Sequence, residues 1–473
     1  MVNFGFFLTF ANYKHHYIKK MKQDKRNKKD MSRRDFLKRL GYGAASAIVL
    51  TAFKPFSQWT DEERLSAAEN KMTYRMQNGT GEQISLLGFG MMRLPNDQEE
   101  VNELVDYAIE HGVNYFDTAP MYMGGASEVL TGNALSRHPR DRYYVATKMS
   151  NQNKRLWPIE EAKALYYQSF ERLKVDYIDY YLLHSIGGGG DGVEALQGRF
   201  IENGLLDFLL GERQAGRIRH LGFSYHGDVR AFDWLLDRND LYHWDFVQIQ
   251  MNFIDWRHAA GGRKKDADAE YLYNKCKKLG IQCVVMEPLR GGALGKLQGE
   301  QVERLKALRP DDSPARWSLR WVGSHTNILT ALSGMNRMEH LKENVETFSP
   351  LDPCTESENT LLADIADVMS GFPTIPCTTC AYCMPCPYGV DIPGNFAYYN
   401  EAVNAHILPL PAPDAADYAS RKQQFAEGLS RALPDKATWA RACQDCEECL
   451  SKCPQQIRIP NQMARIVETL RRR

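Results

Sequence analysis

Eight of the chain's eleven cysteines fall into two short runs. "CTTCAYCMPCP" carries Cys377, Cys380, Cys383 and Cys386, and "CQDCEECLSKCP" carries Cys443, Cys446, Cys449 and Cys453. Each run ends on a proline. Thiolates spaced this closely let one turning backbone present several soft ligands to a single metal centre. Two open alternatives are structural zinc, whose sites pair C-x2-4-C units at a distance rather than in runs of four, and disulfides, against which the odd cysteine count argues. Cys276, Cys283 and Cys354 are scattered and read as plain thiols.

A second set of reactive side chains lies upstream: Asp117, Tyr122, Lys148 and His184. Singly, each has an ordinary reading. An aspartate caps helices, a tyrosine fills cores, a lysine is solvated. Together they make coherent chemistry. A free phenol titrates near about 10 and becomes a general acid near neutrality when a cation stabilises its phenolate. Lys148 can supply that charge, Asp117 can hold Lys148, and His184 can donate a hydrogen bond to a substrate carbonyl. The set suits protonation of a carbonyl oxygen while hydride arrives at carbon.

These residues need a scaffold that brings them to one place. From about residue 84 to 348 strand-like and helix-like stretches alternate. Val101, Leu104, Val105, Ala108 and Ile109 follow helical spacing, Asp97 and Glu100 resemble a capping box, and Gly112 stands where a left-handed C-cap belongs. Further helices stop at Gly216 and Gly280. Eight apolar runs read as strands: "SLLGFGMMRL", "VNYFDTA", "YYVATK", "IDYYLLHS", "IRHLGFS", "FVQIQMN", "IQCVVMEPL" and "ILTALSGM". That count over this length is expected of an α/β (β/α)8 TIM barrel. In such a barrel chemistry sits at the C-terminal strand ends, where Asp117, Lys148 and His184 fall, with Tyr122 in the loop after Asp117. The runner-up, an open doubly wound sheet, should show G-x-G-x-x-G after an early strand, and the only glycine run, "GGGGDG" at 187–192, has a different pattern and reads as a loop.

"FDTAPMY", "VATK", "YYLLH", "GFS", "VQIQMN" and "MEPLRGG", in that order, resemble the aldo/keto reductase family over roughly residues 72 to 348. The resemblance implies a (β/α)8 barrel and NAD(P)H-dependent reduction of a carbonyl, or oxidation of an alcohol. It implies that Asp117, Tyr122, Lys148 and His184 are the catalytic four, with Tyr122 the general acid. Ser224 and Gln248 match positions that hold the nicotinamide amide. Leu289 and the turn at Gly291 match the loop near the pyrophosphate, and Glu343 and Asn344 match the pair at the adenine. Met286 stands where an aromatic residue often stacks on the nicotinamide, and Tyr225 follows Ser224 where the family often has asparagine. Arg337 and His340 are the only candidates for a 2′-phosphate, so the reading leans to NADP, with NAD as the alternative. "GFSYH" and "MEPLRGG" look like a subgroup with ferredoxin-like tails.

The second cysteine run matches C-x2-C-x2-C-x3-C-P, the bacterial ferredoxin spacing. The first has two residues before its last cysteine. Residues 370 to 465 resemble two-cluster [4Fe–4S] ferredoxins. That resemblance implies one cluster on Cys377, Cys380, Cys383 and Cys453, and another on Cys443, Cys446, Cys449 and Cys386. A linker is expected from Ser349 to Pro376, and "ILPLPAPDAADY" reads as a surface loop between the motifs. The expected domains are a basic extension with an export signal over 1–70, the barrel over 71–349, and over 350–473 a linker with a small, α-rich, cysteine-rich ferredoxin-like domain.

Lys+Arg and Asp+Glu both number 59, so the balance gives no sign of a nucleic-acid partner. The exception is local: residues 14 to 39 are crowded with Lys and Arg. "SRRDFLK" at 32–38 and the apolar run Leu40 to Phe53 closely resemble a twin-arginine export signal, and the run is short for a membrane span. This implies the twin-arginine export machinery as a partner and a periplasmic location, with the signal as an anchor if it stays uncleaved; unused, it leaves the protein cytoplasmic. Met21 and Met31 are alternative starts. Two functions follow as expectations. One is a carbonyl reductase whose two clusters exchange electrons with a redox partner protein. The other is an electron-carrier or assembly protein using the barrel as a scaffold.

Overall fold

Strands that are apolar on both faces need cover on both, and a ring of parallel strands wrapped in helices supplies it. The computed structural model describes residues 71–188, 192–259, 266–297, 299–371, 374–409, 416–455 and 457–471, all within one compact unit. The basic extension, "SRRDFLK", the apolar run after it, the middle of "GGGGDG" and residues 410–415 of the proline-rich stretch lie outside the described residues.

A short antiparallel hairpin comes first, β1 (Tyr74–Met76) and β2 (Gln83–Ser85). The eight expected runs follow as β3 (Leu87–Gly90), β4 (Tyr115–Asp117), β5 (Tyr144–Met149), β6 (Ile178–Ile186), β7 (Ile218–Tyr225), β8 (Phe246–Gln250), β9 (Gln282–Met286) and β10 (Ile328–Ser333). All pair in parallel, and β10 closes on β3. The fold is the expected closed (β/α)8 barrel. Tyr115, Tyr144, Tyr180, Leu182, Phe246, Val284 and Leu329 fill its interior. The larger core lies between strands and helices. The helix Gln98–Glu110 buries Val101, Leu104, Val105, Ala108 and Ile109, as its spacing predicts. Asp97 caps it, accepting from the Glu99 and Glu100 amides at 2.9 and 3.1 Å, and Gly112 follows at φ 87°.

The hairpin has no counterpart among the eight expected strands. It sits across the N-terminal end of the barrel. Glu82 meets His220 at 2.7 Å, Gln77 donates to the Asp245 carbonyl at 3.2 Å, and the Asn78 amide donates to Gln282 at 2.8 Å. Ile84 joins the interior side chains.

The stretch from Ser349 to Pro376, expected as a linker, contains a packed helix. Residues Glu356–Ser370 form a helix with a complete capping box between Thr355 and Glu358. Its Leu362, Ile365, Ala366 and Met369 join the same core as the barrel helices. Glu358 accepts from Arg309 and, at 3.1 Å, from Arg320 of the helix Pro314–Gly323. Apolar burial and this ion cluster make the segment a part of the barrel's outer layer.

The C-terminal region has its own core. Helices Ile392–Asn404, Tyr418–Ala432 and Ile459–Arg471 bury Phe396, Tyr399, Phe425, Leu429, Met463 and Ile466, with Cys383 and Cys453 inside the same cluster. Asn395 ties it together, donating to the Thr438 carbonyl and accepting from the Ala440 amide, both at 2.8 Å. Among the described residues no helix is long and apolar enough to cross a membrane.

Candidate active site and cluster-binding sites

Asp117 is the last residue of β4, and Lys148 projects from the neighbouring β5. The Lys148 ammonium donates to Asp117 Oδ1 at 2.5 Å and to the Thr118 carbonyl at 2.7 Å, with no exposure of the lysine at all. Burial pulls Lys148 below the ordinary ammonium range and pushes Asp117 above the ordinary carboxylate range, and the charge of each opposes the shift of the other. Gln248 on β8 donates to the second Asp117 oxygen at 3.3 Å.

Tyr122 lies on the short 3-10 turn Tyr122–Gly125 after β4, and the Lys148 ammonium is 4.9 Å from its ring centroid. Lys148 is expected from the sequence to lower the phenol's pKa. The structure shows the opposite net effect: burial, followed by the nearby Tyr382 and Asp117, pushes Tyr122 well above its ordinary value. The phenol is therefore held protonated, the loaded state of an acid.

His184 on β6 packs edge-on against Tyr122, ring centroids 5.9 Å apart. Burial and the neighbouring Lys148 keep the imidazole neutral, well below its ordinary pKa. The Ser150 hydroxyl meets Nδ1 at 2.6 Å, and with the hydroxyl donating, the ring proton resides on Nε2. Arg199 reaches in from a π-helical turn, Gln197–Ile201, and donates to the His184 carbonyl at 2.6 Å and to Asn151 at 3.1 Å. Burial lowers the Arg199 pKa to about 9.

A cleft of about 620 Å³ opens at this end of the barrel. Asp117, Tyr122, His184 and Gln248 line it, together with Met286, Leu289, Gly291, Arg337, His340, Glu343 and Asn344. The structure thus gathers most of the residues assigned by resemblance along one surface. Asn344 donates to Ser333 at 3.0 Å, and Glu343 accepts from Ser313. Ser224 stands apart: it is fully buried and its hydroxyl accepts the Ser185 amide at 2.9 Å. That bond supports the register shift between β6 and β7, where Ser185 adopts φ 59°.

Several side chains at the site escape the sequence reading. Ser150 and Arg199 orient His184, but neither carries a spacing signal. Arg93 follows β3, donates to the Thr378 carbonyl at 2.5 Å and lies 3.8 Å from Glu287. Tyr382 donates to the Met92 sulfur at 3.7 Å. Thr378, Thr379, Cys380 and Tyr382 line the same cleft as Tyr122.

The cysteines partition between two apolar chambers. Cys377, Cys380, Cys383 and Cys453 border one with Ile392, Phe396 and Ile457. Cys386, Cys443, Cys446 and Cys449 border the other, where Cys383 also reaches the wall. The last cysteine of each run thus stands with the first three of the other run. Burial, reinforced by neighbouring thiols, pushes Cys377 and Cys383 up to about 12 and Cys449 to about 11. Among the described residues no three His, Cys, Asp or Glu side chains are arranged to hold a single metal ion. Thiols spread around a chamber fit a polynuclear cluster, whose ligands stand apart. Both runs repeat one backbone pattern: Thr379 and Ala381 in the first, and Asp445 and Glu447 in the second, all have φ between 53 and 62°.

A parallel barrel with Asp, Tyr, Lys and His at its C-terminal end defines a class of barrel oxidoreductases, and comparison with known proteins makes the class specific. A profile described as "Aldo/keto reductase family" matches residues 86–366, more than half of the chain, and the chain belongs to that family. A second profile, "4Fe-4S dicluster domain", matches residues 376–458. Protein tas of Escherichia coli is 26% identical over 316 residues, covering 56% of this chain and 90% of that protein. The uncharacterized oxidoreductase YqkF of Bacillus subtilis is 25% identical over 291 residues, covering 56% and 87%. The solved aldo-keto reductase AKR11C1 from Bacillus halodurans shares the fold, with TM-score 0.50 and 24% identity over 62% of this chain and 96% of that one.

Proposed function

We propose that the protein is an NAD(P)H-dependent carbonyl reductase, able to run as an alcohol dehydrogenase in reverse, that carries two [4Fe–4S] clusters. The observation that carries the reading is the Lys148–Asp117 pair buried beneath Tyr122 at one end of a large cleft. A buried ion pair is costly to retain, and a scaffold has no use for one placed beside a phenol. This weighs against the electron-carrier alternative.

The cleft suits a nicotinamide dinucleotide. One cleft carries Tyr122, Met286, Gly291, Glu343 and Asn344 on its walls, with Arg337 and His340. Arg337 and His340 are side chains able to meet a 2′-phosphate, which favours NADP over NAD. When bound, the cofactor supplies the hydride. Met286 and Gln248 would bound the nicotinamide end, and Leu289 with Gly291 the pyrophosphate. Neutral His184 donates from Nε2 to the carbonyl oxygen and polarises it. Tyr122 passes its proton to the same oxygen, and the Lys148 ammonium stabilises the phenolate left behind. Asp117 keeps Lys148 pointed at the ring. Clusters held by the two cysteine sets would supply one-electron chemistry, suited to exchange with a redox partner protein and separate from the two-electron chemistry of the barrel.

We read the "SRRDFLK" stretch as directing export by the twin-arginine route, to the periplasm or to an anchored state on the membrane. That route carries folded cargo, which accords with clusters built before export.

The test is NADPH oxidation with a panel of aldehydes and ketones, using anaerobically purified protein. Tyr122→Phe is expected to lower turnover on the order of 10²-fold or more. Undiminished turnover in that variant removes Tyr122 from the mechanism.

A further inference from the structure

The barrel cleft is not built from the barrel alone. We propose that the loop from Cys377 to Cys383 is the substrate-side wall of the reductase cleft, that Tyr382 on it selects among carbonyl substrates, and that loading of the first cluster holds this wall in place. The inference rests on the reading of the cleft as a carbonyl-reducing site.

Three contacts seat the loop on the barrel. Arg93, just after β3, donates to the Thr378 carbonyl at 2.5 Å. Gly291, just after β9, packs so closely on the Thr378 backbone that an added Cβ would lie 2.7 Å from it. Tyr382 donates to Met92 at 3.7 Å. A fourth contact comes from beyond the last cysteine: Gln455 donates to Gln250, at the end of β8, at 3.3 Å. The loop thus bridges the ends of β3 and β9, with Tyr382 at the Tyr122 part of the cleft and Thr378 beside the Gly291 turn.

The same loop carries cluster ligands. Thr378 follows Cys377, and Tyr382 lies between Cys380 and Cys383. These three thiols and Cys453 surround one chamber. The Thr379 amide donates to the Cys377 sulfur at 3.4 Å. Thr379 and Ala381 hold left-handed backbone conformations that side chains disfavour. Such a path persists only when its surroundings over-determine it, and a cluster bonded to three of its residues does so. The position of Tyr382 is then a consequence of cluster binding.

The experiment uses the full chain with clusters built anaerobically. The first measurement compares kcat/KM for 4-nitrobenzaldehyde and for propanal, with NADPH, in Tyr382→Leu and in Met92→Ala. Met92→Ala, a change in the barrel's part of the cleft wall, removes the partner of Tyr382 without altering any residue of the ferredoxin fold. The expected result is a change of roughly tenfold in the ratio of the two substrates, the size of one pocket contact, with the visible cluster absorbance retained. A ratio unchanged in both variants overturns the role of Tyr382. The second measurement needs no turnover: amide hydrogen exchange before and after the clusters are stripped with ferricyanide and EDTA. Exchange is expected to rise at 90–93 and 287–291 and to stay constant at 218–225. Unchanged exchange at 90–93 and 287–291 overturns the wall. Protein that reduces no carbonyl yet shows the exchange change refutes the reductase reading and leaves the wall standing.

Discussion

Lys148 and Asp117 form a buried ion pair: the ammonium and carboxylate meet at 2.5 Å, and the lysine side chain has no exposed surface. Removing one partner leaves an uncompensated charge in the barrel. Lys148→Met is expected to destabilise the fold by about 3–5 kcal/mol. Asp117→Asn combined with Lys148→Met is expected to cost less than the two single changes added together. Urea unfolding curves for the three variants check this, and strict additivity would show that the pair contributes nothing as a pair.

The cysteine sets make a prediction that sequence order alone would not. Cys453→Ser is expected to behave like Cys380→Ser and unlike Cys446→Ser, although Cys453 and Cys446 share one run. Each variant should lose half of the bound iron. The electron paramagnetic resonance signal that remains should be the same for Cys453→Ser and Cys380→Ser. Cys386→Ser should pair with Cys446→Ser.

Glu358 links the helix Glu356–Ser370 to Arg309 and Arg320. Its pKa falls from 4.5 to about 2, through hydrogen bonds to Arg309, to the Thr355 amide and to Arg320 that outweigh burial. A depressed carboxyl stabilises the fold above its unfolded pKa, and the contribution is lost as pH falls through the folded value. Glu358→Gln is therefore expected to cost about 2–3 kcal/mol at pH 7, a gap that narrows between pH 4.5 and 2. Thermal melts of both proteins across that range read the convergence, and a constant gap would contradict it.

Arg33→Lys together with Arg34→Lys is expected to abolish export. Fractionation of cells expressing each form gives the answer. Periplasmic protein at the unmodified level in the double variant would count against the twin-arginine reading.

The barrel was legible because the strands are mostly apolar runs and helices such as those before Gly112 and Gly280 stop at a glycine. The capping pair Thr355 and Glu358 is equally local. Its T-x-x-E spacing stands in the sequence, yet the segment reads as a linker because its apolar face follows a stretch of proline and acidic residues. The β1–β2 hairpin has strands of three residues, too short for any periodicity. Tyr382 and Met92 lie 290 positions apart, so no local pattern announces their contact. Ser150 and Arg199 act through His184 and are identified only by the fold that delivers them. Ser224 matches a family position, but its hydroxyl is engaged by the Ser185 amide, a bond that depends on a register shift no sequence pattern reveals.

The hairpin across the N-terminal end has a consequence for traffic. With Ile84 and the tyrosine layer filling the interior, the floor is shut, and whatever enters or leaves the cleft uses the opposite door. That door is framed by Thr378 and Tyr382. On the proposed reductase reading, a nicotinamide cofactor and its substrate would share that door, so the one that arrives first would stand in the path of the other, and neither could depart by a back route.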